Sequence, residues 1–481
     1  DVDGVTSSAL LFEFLQKMGC KARVYIPNRF DEGYGLNVEA INQLIGEGIQ
    51  LMITVDCGIR SVREIALAEE NGMPVILTDH HLPGEELPPA SAILNARQPG
   101  DAYPYKHLAG VGMAYKLVAG YLELFPQDGL SADDWLDLVA LGTIADVAPL
   151  TGENRSLVMR GLNLIRGVHR QGLFSLAQVS GIKLERINAS NIGFGLCPRL
   201  NAAGRLDSAV ASFDLLTSRD LFQAALLAQQ LESQNSQRKE IVNQIQARVV
   251  NEASASAGTQ PIIFSASPDF NEGVVGLVAG RVAEVFYRPA IIGHYSDQNV
   301  VASCRSIAEF NIANALDQCD DLLLRHGGHS MAAGFTVRQE HLPELLERLN
   351  GIARQSLAGL ELIPRLAIDA EIKLGELPGD QIPEILEDMD ILEPTGTQNP
   401  EPLFYSSGLQ VLEARPVGNG QHLKLRLRAG RFSYDAIAFN QGYWLDQLPG
   451  FVDIAYIFEL NTYMGRETLQ LRVKEIRPAQ T

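Results

Sequence analysis

Two short apolar runs flanking an amphipathic segment stand out in the first hundred residues. Residues 51–55 and 74–78 are apolar over strand length, and both read as buried strands. Between them, residues 61–71 carry apolar side chains at helical spacing, with Ser61 as the candidate cap and Gly72 at the end. This order predicts a strand–helix–strand unit, in which a right-handed crossover joins two parallel strands.

Three further patterns extend the prediction along the chain. Residues 6–18 and 215–250 have helical spacing, and the longer segment is almost wholly polar over 232–240, which favours a solvated connecting helix. A second set of strands and helices is predicted over 261–305. From residue 403 onward, apolar and polar positions alternate in short stretches between glycine-containing turns, which indicates a small β-barrel.

The fold class that we predict is α/β. It comprises a doubly wound parallel-sheet domain, a long connecting helix, a second and smaller α/β domain and a C-terminal OB-like β-barrel. A chain of 481 residues has room for several domains. The expected division is 1–210, 211–255, 256–365 and 366–481.

Composition adds two constraints. The formal net charge is −19, and a strongly negative protein disfavours a nucleic-acid partner. Net charge is a sum over the whole chain, however, whereas binding depends on local charged patches. Residues 405–481 carry nine Lys and Arg against seven Asp and Glu, a net of +2. The five cysteines form no CxxC pair, and no apolar run reaches membrane-spanning length, so we expect reduced thiols, a cytoplasmic location and no membrane contact.

Four short motifs carry the candidate chemistry: Asp1-Val2-Asp3-Gly4, Thr54-Val55-Asp56-Cys57-Gly58, Thr78-Asp79-His80-His81 and Gly142-Thr143-Ile144-Ala145-Asp146. Asp56 and Asp79 directly follow predicted parallel strands, whose carboxyl ends gather ligand sites. One such Asp alone equally fits a helix cap, but several buried carboxylates are costly without a cation. Carboxylates with imidazole and no thiolate cluster favour two Mn²⁺ or Mg²⁺ ions over Zn²⁺.

In this order the four motifs resemble those of the DHH phosphoesterase superfamily. Within it, the segments 27–35 and Pro198-Arg199-Leu200-Asn201-Ala202-Ala203-Gly204-Arg205 resemble the RecJ family, the single-strand-specific 5′→3′ DNA exonucleases. The resemblance extends over nearly the whole chain. It implies a DHH catalytic domain, a DHH-associated phosphate-binding domain after the connecting helix, and a nucleic-acid-binding OB-like domain.

The resemblance also implies a set of metal ligands: Asp1, Asp3, Asp56, His80 and Asp146. Asp3 and Asp56 would be shared between two ions, and His81 would be catalytic by facing the substrate. Asp79 would orient a histidine. RecJ proteins commonly carry Asp-x-Asp-x-Asp-Gly, so we expect the intact protein to have a segment before Asp1 that contains the first Asp and a preceding strand.

A phosphate site is expected in the second α/β domain. The paired glycines of His326-Gly327-Gly328-His329 let backbone amides approach an anion, and Arg305 can grip phosphate with a bidentate fork. A tight turn explains the glycines equally well in isolation. The family uses the same Gly-Gly-His, which implies that Arg305, Gly327, Gly328 and His329 hold the 5′-terminal phosphate or the adjacent backbone.

Further substrate contacts are expected at three places. Arg199 and Asn201 would lie on the backbone near the scissile phosphate, the alternative being a capped turn with Arg205 paired to an acid such as Asp207. Arg29 and Tyr34, in a glycine-rich loop, would contact a nucleotide by charge and stacking. The barrel would supply cations spaced by two along one strand face, unless that face is merely solvated: Lys424, Arg426 and Arg428.

These patterns together predict a metal-dependent exonuclease of DNA repair and recombination that acts on single-stranded DNA. The family implies single-strand-binding protein and a helicase as partners, and monomer is the default. One rival is a phosphoesterase of the same superfamily that acts on oligoribonucleotides or cyclic dinucleotides, which would not require the barrel. Another is a binding module with a decayed site, which the retained Asp and His residues oppose.

Overall fold

A computed structural model of the chain describes five ranges of residues: 1–28, 35–255, 260–377, 382–463 and 466–479. The chain divides into two compact units. The first contains residues 1–146, 160–187 and 191–364, and the second contains residues 147–159, 188–190 and 365–481. None of the helices in the described ranges has the length and apolarity needed to cross a membrane.

The first unit begins with a parallel sheet flanked by helices, in the order α1 (Val2–Lys17), α2 (Val38–Gly46), β1 (Met52–Val55), α3 (Val62–Glu70), β2 (Val75–Thr78), β3 (Ala92–Leu94), α4 (Gly110–Leu124) and α5 (Leu136–Ala145). All pairings in the sheet β1-β2-β3 are parallel, and Val55, Thr78 and Leu94 are in register at the carboxyl ends. The predicted strand–helix–strand unit is confirmed. Ser61 occupies the cap position of α3, but its side chain makes no capping hydrogen bond.

Five helices follow along the chain: α6 (Gly152–Arg166), α7 (Gln171–Ser180), α8 (Cys197–Leu206), α9 (Val210–Thr217) and α10 (Leu221–Ala255). Residues 152–159 of α6 belong to the second unit and the rest of these helices to the first. A π-helix, Asn191–Leu196, runs directly into α8. The helix expected over 215–250 is therefore two helices, α9 and the 35-residue α10. The polar middle of the long helix is mostly exposed, as expected, but Asn235 within it is fully buried in an otherwise apolar stripe.

The second α/β region comprises β4 (Ile263–Ser267), α11 (Val275–Phe286), β5 (Ala290–Ser296), β6 (Asn299–Arg305), α12 (Ile312–Asp317), β7 (Leu323–His329), β8 (Ala332–Arg338) and α13 (Leu342–Ser356). Its sheet has the order β4-β5-β6-β8-β7. Within this sheet, as far as it is described, β4 and β5 pair in parallel and the other pairings are antiparallel. One apolar core lies between α11 and the second half of α10, so the long helix carries this region.

The second unit is built on strands: β9 (Ala370–Glu371), β10 (Phe404–Val417), β11 (His422–Ala429), β12 (Phe432–Ala438), β13 (Phe451–Tyr463) and β14 (Arg466–Pro478), with α14 (Ile382–Asp390). The strand order β11-β12-β14-β13-β10 closes on itself through a β10–β11 pairing. The predicted β-barrel is confirmed. Positive φ angles at Gly418, Asn419 and Gly420 form the predicted turn, whereas residues 464–465 of the other turn lie outside the described residues.

Candidate active site

Asp3 is held by the start of a helix. Its side chain is 2% exposed and accepts hydrogen bonds from the backbone N–H of Gly110, at 2.7 Å, and of Val111, at 2.8 Å. These two amides open helix α4, and unpaired amides at a helix N-terminus are a ready site for negative charge. The start of α4 therefore fixes the orientation of Asp3.

Asp56 follows β1 in a backbone conformation that few residues adopt. Its φ is 56°, which Asp and Asn tolerate better than most side chains but which still costs free energy. Burial, reinforced by the nearby charge of Asp3, raises the pKa of Asp56 well above its usual range. The turn thus aims a carboxylate into a buried space that already contains another carboxylate.

Asp79 follows β2 and is almost fully buried. Its Oδ1 accepts from the backbone amides of His80 and His81 and lies 2.7 Å from Nδ1 of His81, while its Oδ2 accepts from the Ile59 amide at 3.0 Å. Burial raises the pKa of Asp79, but the bonds from His81 and the backbone outweigh it, so the net shift is downward. Asp79 therefore stays ionised and holds the double-histidine turn.

His80 points its ring into the centre of the carboxylates. Its Nε2 lies 3.1 Å from Oδ1 of Asp56 and 3.8 Å from Oδ2 of Asp3, and its Nδ1 lies 3.8 Å from Oδ2 of Asp146. Among the described residues, the buried Nε2 atom has no hydrogen-bond partner. A buried polar atom without a partner is costly, so this nitrogen is free to be a ligand.

The fourth carboxylate comes from the end of a helix. Asp146 caps the C-terminus of α5, where the helix dipole is unfavourable for a negative charge. Burial and the charge of Asp3 raise the pKa of Asp146 to about 6. The charge of Arg97, which the sequence did not single out, opposes that shift. Arg97 follows β3 by three residues, so recognising that strand would have placed it at the same sheet edge.

Two overlapping groups of side chains have the spacing of metal ligands. One atom from each of Asp3, His80 and Asp146 lies within 4.8 Å of the others, and the same holds for Asp56, Asp79, His80 and His81. Carboxylate oxygens with imidazole nitrogen suit Mn²⁺ or Mg²⁺. The donor set and the unpartnered His80 nitrogen fit such ions, which the sequence predicted for these motifs.

Asp1 stands beside these groups rather than within them. Its side chain accepts from the Gly4 amide at 3.2 Å and caps α1. A Cβ at Gly4 would lie 3.9 Å from the Asp1 Oδ1 atom and 3.3 Å from Oδ2 of Asp56, so the two carboxylates flank the same glycine. A role for Asp1 as a metal ligand stays a prediction.

Glycines make the close approach of these elements possible. A Cβ at Gly142 would lie 2.3 Å from Oγ1 of Thr6 and 2.9 Å from Oδ1 of Asp3. A Cβ at Gly110 would lie 2.7 Å from the Asp56 Cβ. The glycine of the motif that ends at Asp146 therefore lets α5 pack against α1 beside the cluster. Sequence reasoning missed Gly110 because no motif marked it.

Arg199 and Asn201 lie on α8 and are engaged with protein groups. Arg199 is paired with Glu232 of α10 and donates to the Gly195 carbonyl at 2.6 Å. The Oδ1 atom of Asn201 accepts from the backbone amide of Val2 at 3.1 Å, so it positions the start of α1 between Asp1 and Asp3. Arg205 donates to the Gly273 carbonyl at 3.1 Å. Arg29 and Tyr34 lie outside the described residues.

The residues predicted to bind phosphate lie on neighbouring strands of one sheet. The segment Gly327-Gly328-His329 belongs to strand β7 and not to a loop. Ala332 of β8 pairs with His329 of β7 on one side and with Arg305 of β6 on the other. Gly328 has a φ of 146°, and a Cβ there would lie 2.4 Å from the Ala332 carbonyl oxygen.

Arg305 is placed to hold an anion. A Cβ at Gly276, in the first turn of α11, would lie 3.3 Å from its Nη2 atom. Burial lowers the pKa of Arg305, and no carboxylate of the described ranges is ion-paired with it. An unneutralised guanidinium beside helix-start amides is a favourable setting for a phosphate.

In the barrel, one face of β11 is cationic. Lys424, Arg426 and Arg428 alternate with the buried Leu423, Leu425 and Leu427. Arg426 lies 4.0 Å from Glu413 and opposite Asp435, so its charge is partly neutralised.

Two neighbours extend that face. Lys424 is paired in register with Arg415 of β10, which adds a cation that sequence reasoning overlooked. At the His422 end, the His422 and Phe439 rings are 5.2 Å apart, and Phe439 is 49% exposed. A row of cations that ends at an exposed aromatic ring has the composition of a single-strand binding surface.

Comparison with family models gives three matches along the chain. Residues 1–143 match the DHH family N-terminal domain, residues 259–355 match the DHHA1 domain, and residues 368–475 match the RecJ OB domain. This order of domains is that of a DHH-family protein with a DHHA1 domain and an appended OB domain.

Sequence identity to curated proteins assigns the chain to one family within this class. The chain is 38% identical to the single-stranded-DNA-specific exonuclease RecJ of Bacillus subtilis over 99% of its own length and 60% of that protein. It is 37% identical to the RecJ of Salmonella typhimurium, of which it covers 86%. The chain belongs to the RecJ family. It spans less than two thirds of the Bacillus protein.

Solved structures agree with this placement. The crystal structure of Thermus thermophilus RecJ in complex with Mn²⁺ has a TM-score of 0.84 and 31% identity, with 100% of this chain and 68% of that chain covered. The Mg²⁺ complex of the same protein has a TM-score of 0.78 and 28% identity, with 100% and 66% covered. The predicted fold and family are therefore confirmed.

Gly110→Ala should weaken metal binding without removing a ligand. The new methyl group would collide with Asp56 and crowd Oδ2 of Asp3, at 3.1 Å from the new Cβ. We expect the dissociation constant for Mn²⁺, measured by isothermal titration calorimetry, to rise by about tenfold or more, as for lost support of a ligand. Gly120→Ala is the control, since it is on the same helix and its Cβ would meet no atom within 4 Å. Unchanged Mn²⁺ affinity in folded Gly110→Ala protein would contradict the packing described here.

Proposed function

We propose that this chain is the core of a nuclease that hydrolyses the phosphodiester bonds of single-stranded DNA from the 5′ end, in DNA repair and recombination. The observation that carries the proposal is the convergence of Asp3, Asp56, His80 and Asp146, from four separate elements, on a single cluster. The RecJ relatives, named as single-stranded-DNA-specific exonucleases, support the substrate and the reaction.

Two divalent ions, Mn²⁺ or Mg²⁺, would be held by Asp1, Asp3, Asp56, His80 and Asp146. When bound, such a pair lowers the pKa of a bound water and offsets charge on the phosphoryl group in an in-line displacement. The metal complexes of the Thermus protein support both ion types. Asp3 and Asp56 would be the shared ligands, and their carboxylates meet at one point: a Cβ at Gly110 would lie 3.1 Å from Oδ2 of Asp3 and 3.0 Å from Oδ1 of Asp56.

His81 would contact the reacting phosphodiester. Its side chain is 51% exposed, whereas its Nδ1 atom is held 2.7 Å from Asp79. This fixes the ring, and the hydrogen bond to Asp79 raises the pKa of His81. The protonated ring can donate from Nε2 to a phosphate oxygen. Asp79 would thus act by orienting His81, and Arg199 and Asn201 would support the same region through Glu232 and the start of α1.

The second α/β region would hold the 5′-terminal phosphate or the adjacent backbone. Arg305, the first turn of α11 and the Gly327-Gly328-His329 segment supply a guanidinium, backbone amides and an imidazole on one sheet. A grip on the phosphate end would set polarity, because only a 5′ end would then reach both sites.

The barrel would bind the strand through Lys424, Arg426 and Arg428, and Arg29 and Tyr34 would contact a nucleotide. The functional division that we propose is a DHH domain over 1–210, the connecting helix over 211–255, the associated domain over 256–365 and the OB-like domain over 366–481. The ranges of the family matches support this division.

The proposed activity also suggests protein partners and a cellular location. Single-strand-binding protein and a helicase are the proposed partners, because a 5′→3′ exonuclease needs exposed single strands. A cytoplasmic location is supported by the five free cysteines, of which Cys197, Cys304 and Cys319 are buried as thiols.

Strands labelled at the 5′ or the 3′ end, together with the duplex form, test the proposed polarity and substrate. With Mn²⁺, we expect the 5′ label to be released at once as a short product, while the 3′-labelled strand shortens gradually and duplex persists. Asp56→Asn, which keeps the shape and tolerates positive φ, should lower turnover by at least about a hundredfold because it removes a shared ligand.

Single-strand binding without metal provides the control for that variant, and we expect Asp56→Asn to match the unmodified chain. Gradual shortening of the 5′-labelled strand with early loss of the 3′ label would reverse the proposed polarity. Full turnover by Asp56→Asn would show that this carboxylate takes no part in the reaction.

Replacing Lys424 and Arg428 with Gln should weaken binding to long single strands and reduce its salt dependence. Each lost phosphate contact lowers the slope of log affinity against log salt by about 0.7 for a single strand. Lys373→Gln is the control, because Lys373 belongs to the same unit, is 72% exposed and lies off the β11 face. Equal slopes for all three proteins, measured by fluorescence anisotropy, would show that the β11 face is only solvated.

A further inference from the structure

Phe194 is the most exposed large apolar side chain in the described ranges, with 86% of its surface accessible. It lies in the π-helix Asn191–Leu196, and it is the exposed residue of that turn, whereas Ile192 and Leu196 are fully buried. Single exposed apolar side chains are common on protein surfaces, so exposure alone gives this ring no role. The elements that surround the π-helix do.

The π-helix lies beside the last turn of α5, the helix that ends at Asp146. A Cβ at Gly193 would lie 3.5 Å from Cγ2 of Ile144, two residues before Asp146. No other atom of the described residues, the chain neighbours of Gly193 apart, lies within 4 Å of that position. Ile144 is itself only half-buried. Gly193 therefore leaves an open, apolar step between Phe194 and the carboxylate end of α5.

Close packing and a hydrogen bond fix the other side of this turn. A Cβ at Gly195 would collide with Cδ1 of Ile182, so the π-helix approaches the segment after α7 as only Gly allows. The Gly195 carbonyl accepts the hydrogen bond from Nη1 of Arg199, at 2.6 Å. The backbone that carries Phe194 is thus held in place, and π-helical turns are frequent at functional sites.

The π-helix also connects Phe194 to the start of α1. It runs directly into α8, where Oδ1 of Asn201 accepts from the Val2 amide at 3.1 Å, next to Asp3. The π-helix and α8 therefore form one continuous segment beside two helices that supply carboxylates to the cluster, α1 with Asp3 and α5 with Asp146. A strand whose phosphodiester lies at the cluster would bring a neighbouring base to this segment.

Stacking on a nucleobase is the interaction that best fits an exposed ring at this place. Cations at the cluster and arginines elsewhere act on phosphate, whereas an aromatic ring acts on the base and tolerates any sequence, because every base has a π-face. A flat base matches one ring in size. A stable protein partner would instead cover about 800 Å² of this surface.

We propose that Phe194 binds the substrate by stacking on a nucleobase next to the scissile phosphodiester, and that the stack holds this phosphodiester at the carboxylate cluster. The inference rests on the proposed function and adds a residue that acts on the base instead of the phosphate. It also adds to strand selectivity, because a base within a duplex would first have to unpair and unstack before it could reach the ring.

Removal of single bases from the strand tests the stack directly. KM is measured with the full chain and Mn²⁺ on a single strand and on strands that each lack one base, with the abasic position moved stepwise from the 5′ end. Phe194→Ala should raise KM by about tenfold on the intact strand. It should leave KM unchanged on the strand that lacks the stacked base, because ring and base form one interaction in a double-mutant cycle.

Two further variants and two further measurements separate stacking from other effects. Phe194→Trp should keep the KM of the unmodified chain, whereas Phe194→Leu should behave as Phe194→Ala, since Leu is apolar but cannot stack. The melting temperature of Phe194→Ala should equal that of the unmodified chain, because the ring is exposed. The slope of log affinity against log salt, measured without metal, should also stay the same, because the ring neutralises no phosphate.

Phe222→Ala is the matched control. Phe222 is 73% exposed, belongs to the first turn of α10 and lies about 15 Å along that helix from Glu232, the partner of Arg199. We expect its KM to be unchanged on every strand. Equal losses in Phe222→Ala and Phe194→Ala would overturn the inference, and so would a Phe194→Leu variant that matches the unmodified chain.

The abasic strands also distinguish failure of this inference from failure of the proposed function. If the unmodified chain neither bound nor hydrolysed single strands, the proposed function would fall and the stack with it. If it hydrolysed them, and Phe194→Ala changed KM by the same factor on the intact strand and on every abasic strand, only the stack would be overturned.

Discussion

The close packing of acidic groups around one imidazole is the constraint on which the rest of the structure depends. Asp56 and Asp146 carry strongly raised pKa values because burial and the charge of Asp3 oppose their ionisation. Such a cluster is unfavourable unless cations share the charge. Divalent ions offset that cost and supply hydrolytic chemistry at the same place.

Several features of the fold exist to build this cluster. Parallel strands bring Asp56 and Asp79 to one edge, the start of α4 orients Asp3, and a glycine in α5 lets that helix approach α1. Asn201 reaches from α8, far along the chain, to hold the start of α1. The positive groups that would face a phosphate backbone belong to other elements: Arg305 to β6, and Lys424, Arg426 and Arg428 to β11.

Sequence patterns predicted those parts of the fold whose physics is local. Short apolar runs located β1 and β2 to within a residue, and helical spacing located α3. Alternation of apolar and polar positions indicated the barrel, without locating each of its strands. The metal motifs were singled out because several buried carboxylates with an imidazole are costly without a cation, and the individual ligands were assigned from the resemblance to the DHH superfamily. Gly110 and Arg97 were missed, since their importance comes from contacts with residues distant in the chain. The middle of α10 is largely exposed as expected, but the burial of Asn235 was not predicted, because composition cannot tell a solvated Asn from one buried by tertiary packing.

The most direct test of the account is electron paramagnetic resonance of the Mn²⁺-loaded chain. Sharing of carboxylates places paired ions roughly 3.5–4 Å apart. At that separation we expect a spin-coupled signal when two equivalents of Mn²⁺ are bound. In Asp3→Asn we expect the spectrum of isolated Mn²⁺ ions instead. Two equivalents of bound Mn²⁺ with only isolated six-line spectra, or binding of no Mn²⁺ at all, would contradict the claim that these carboxylates converge on paired cations.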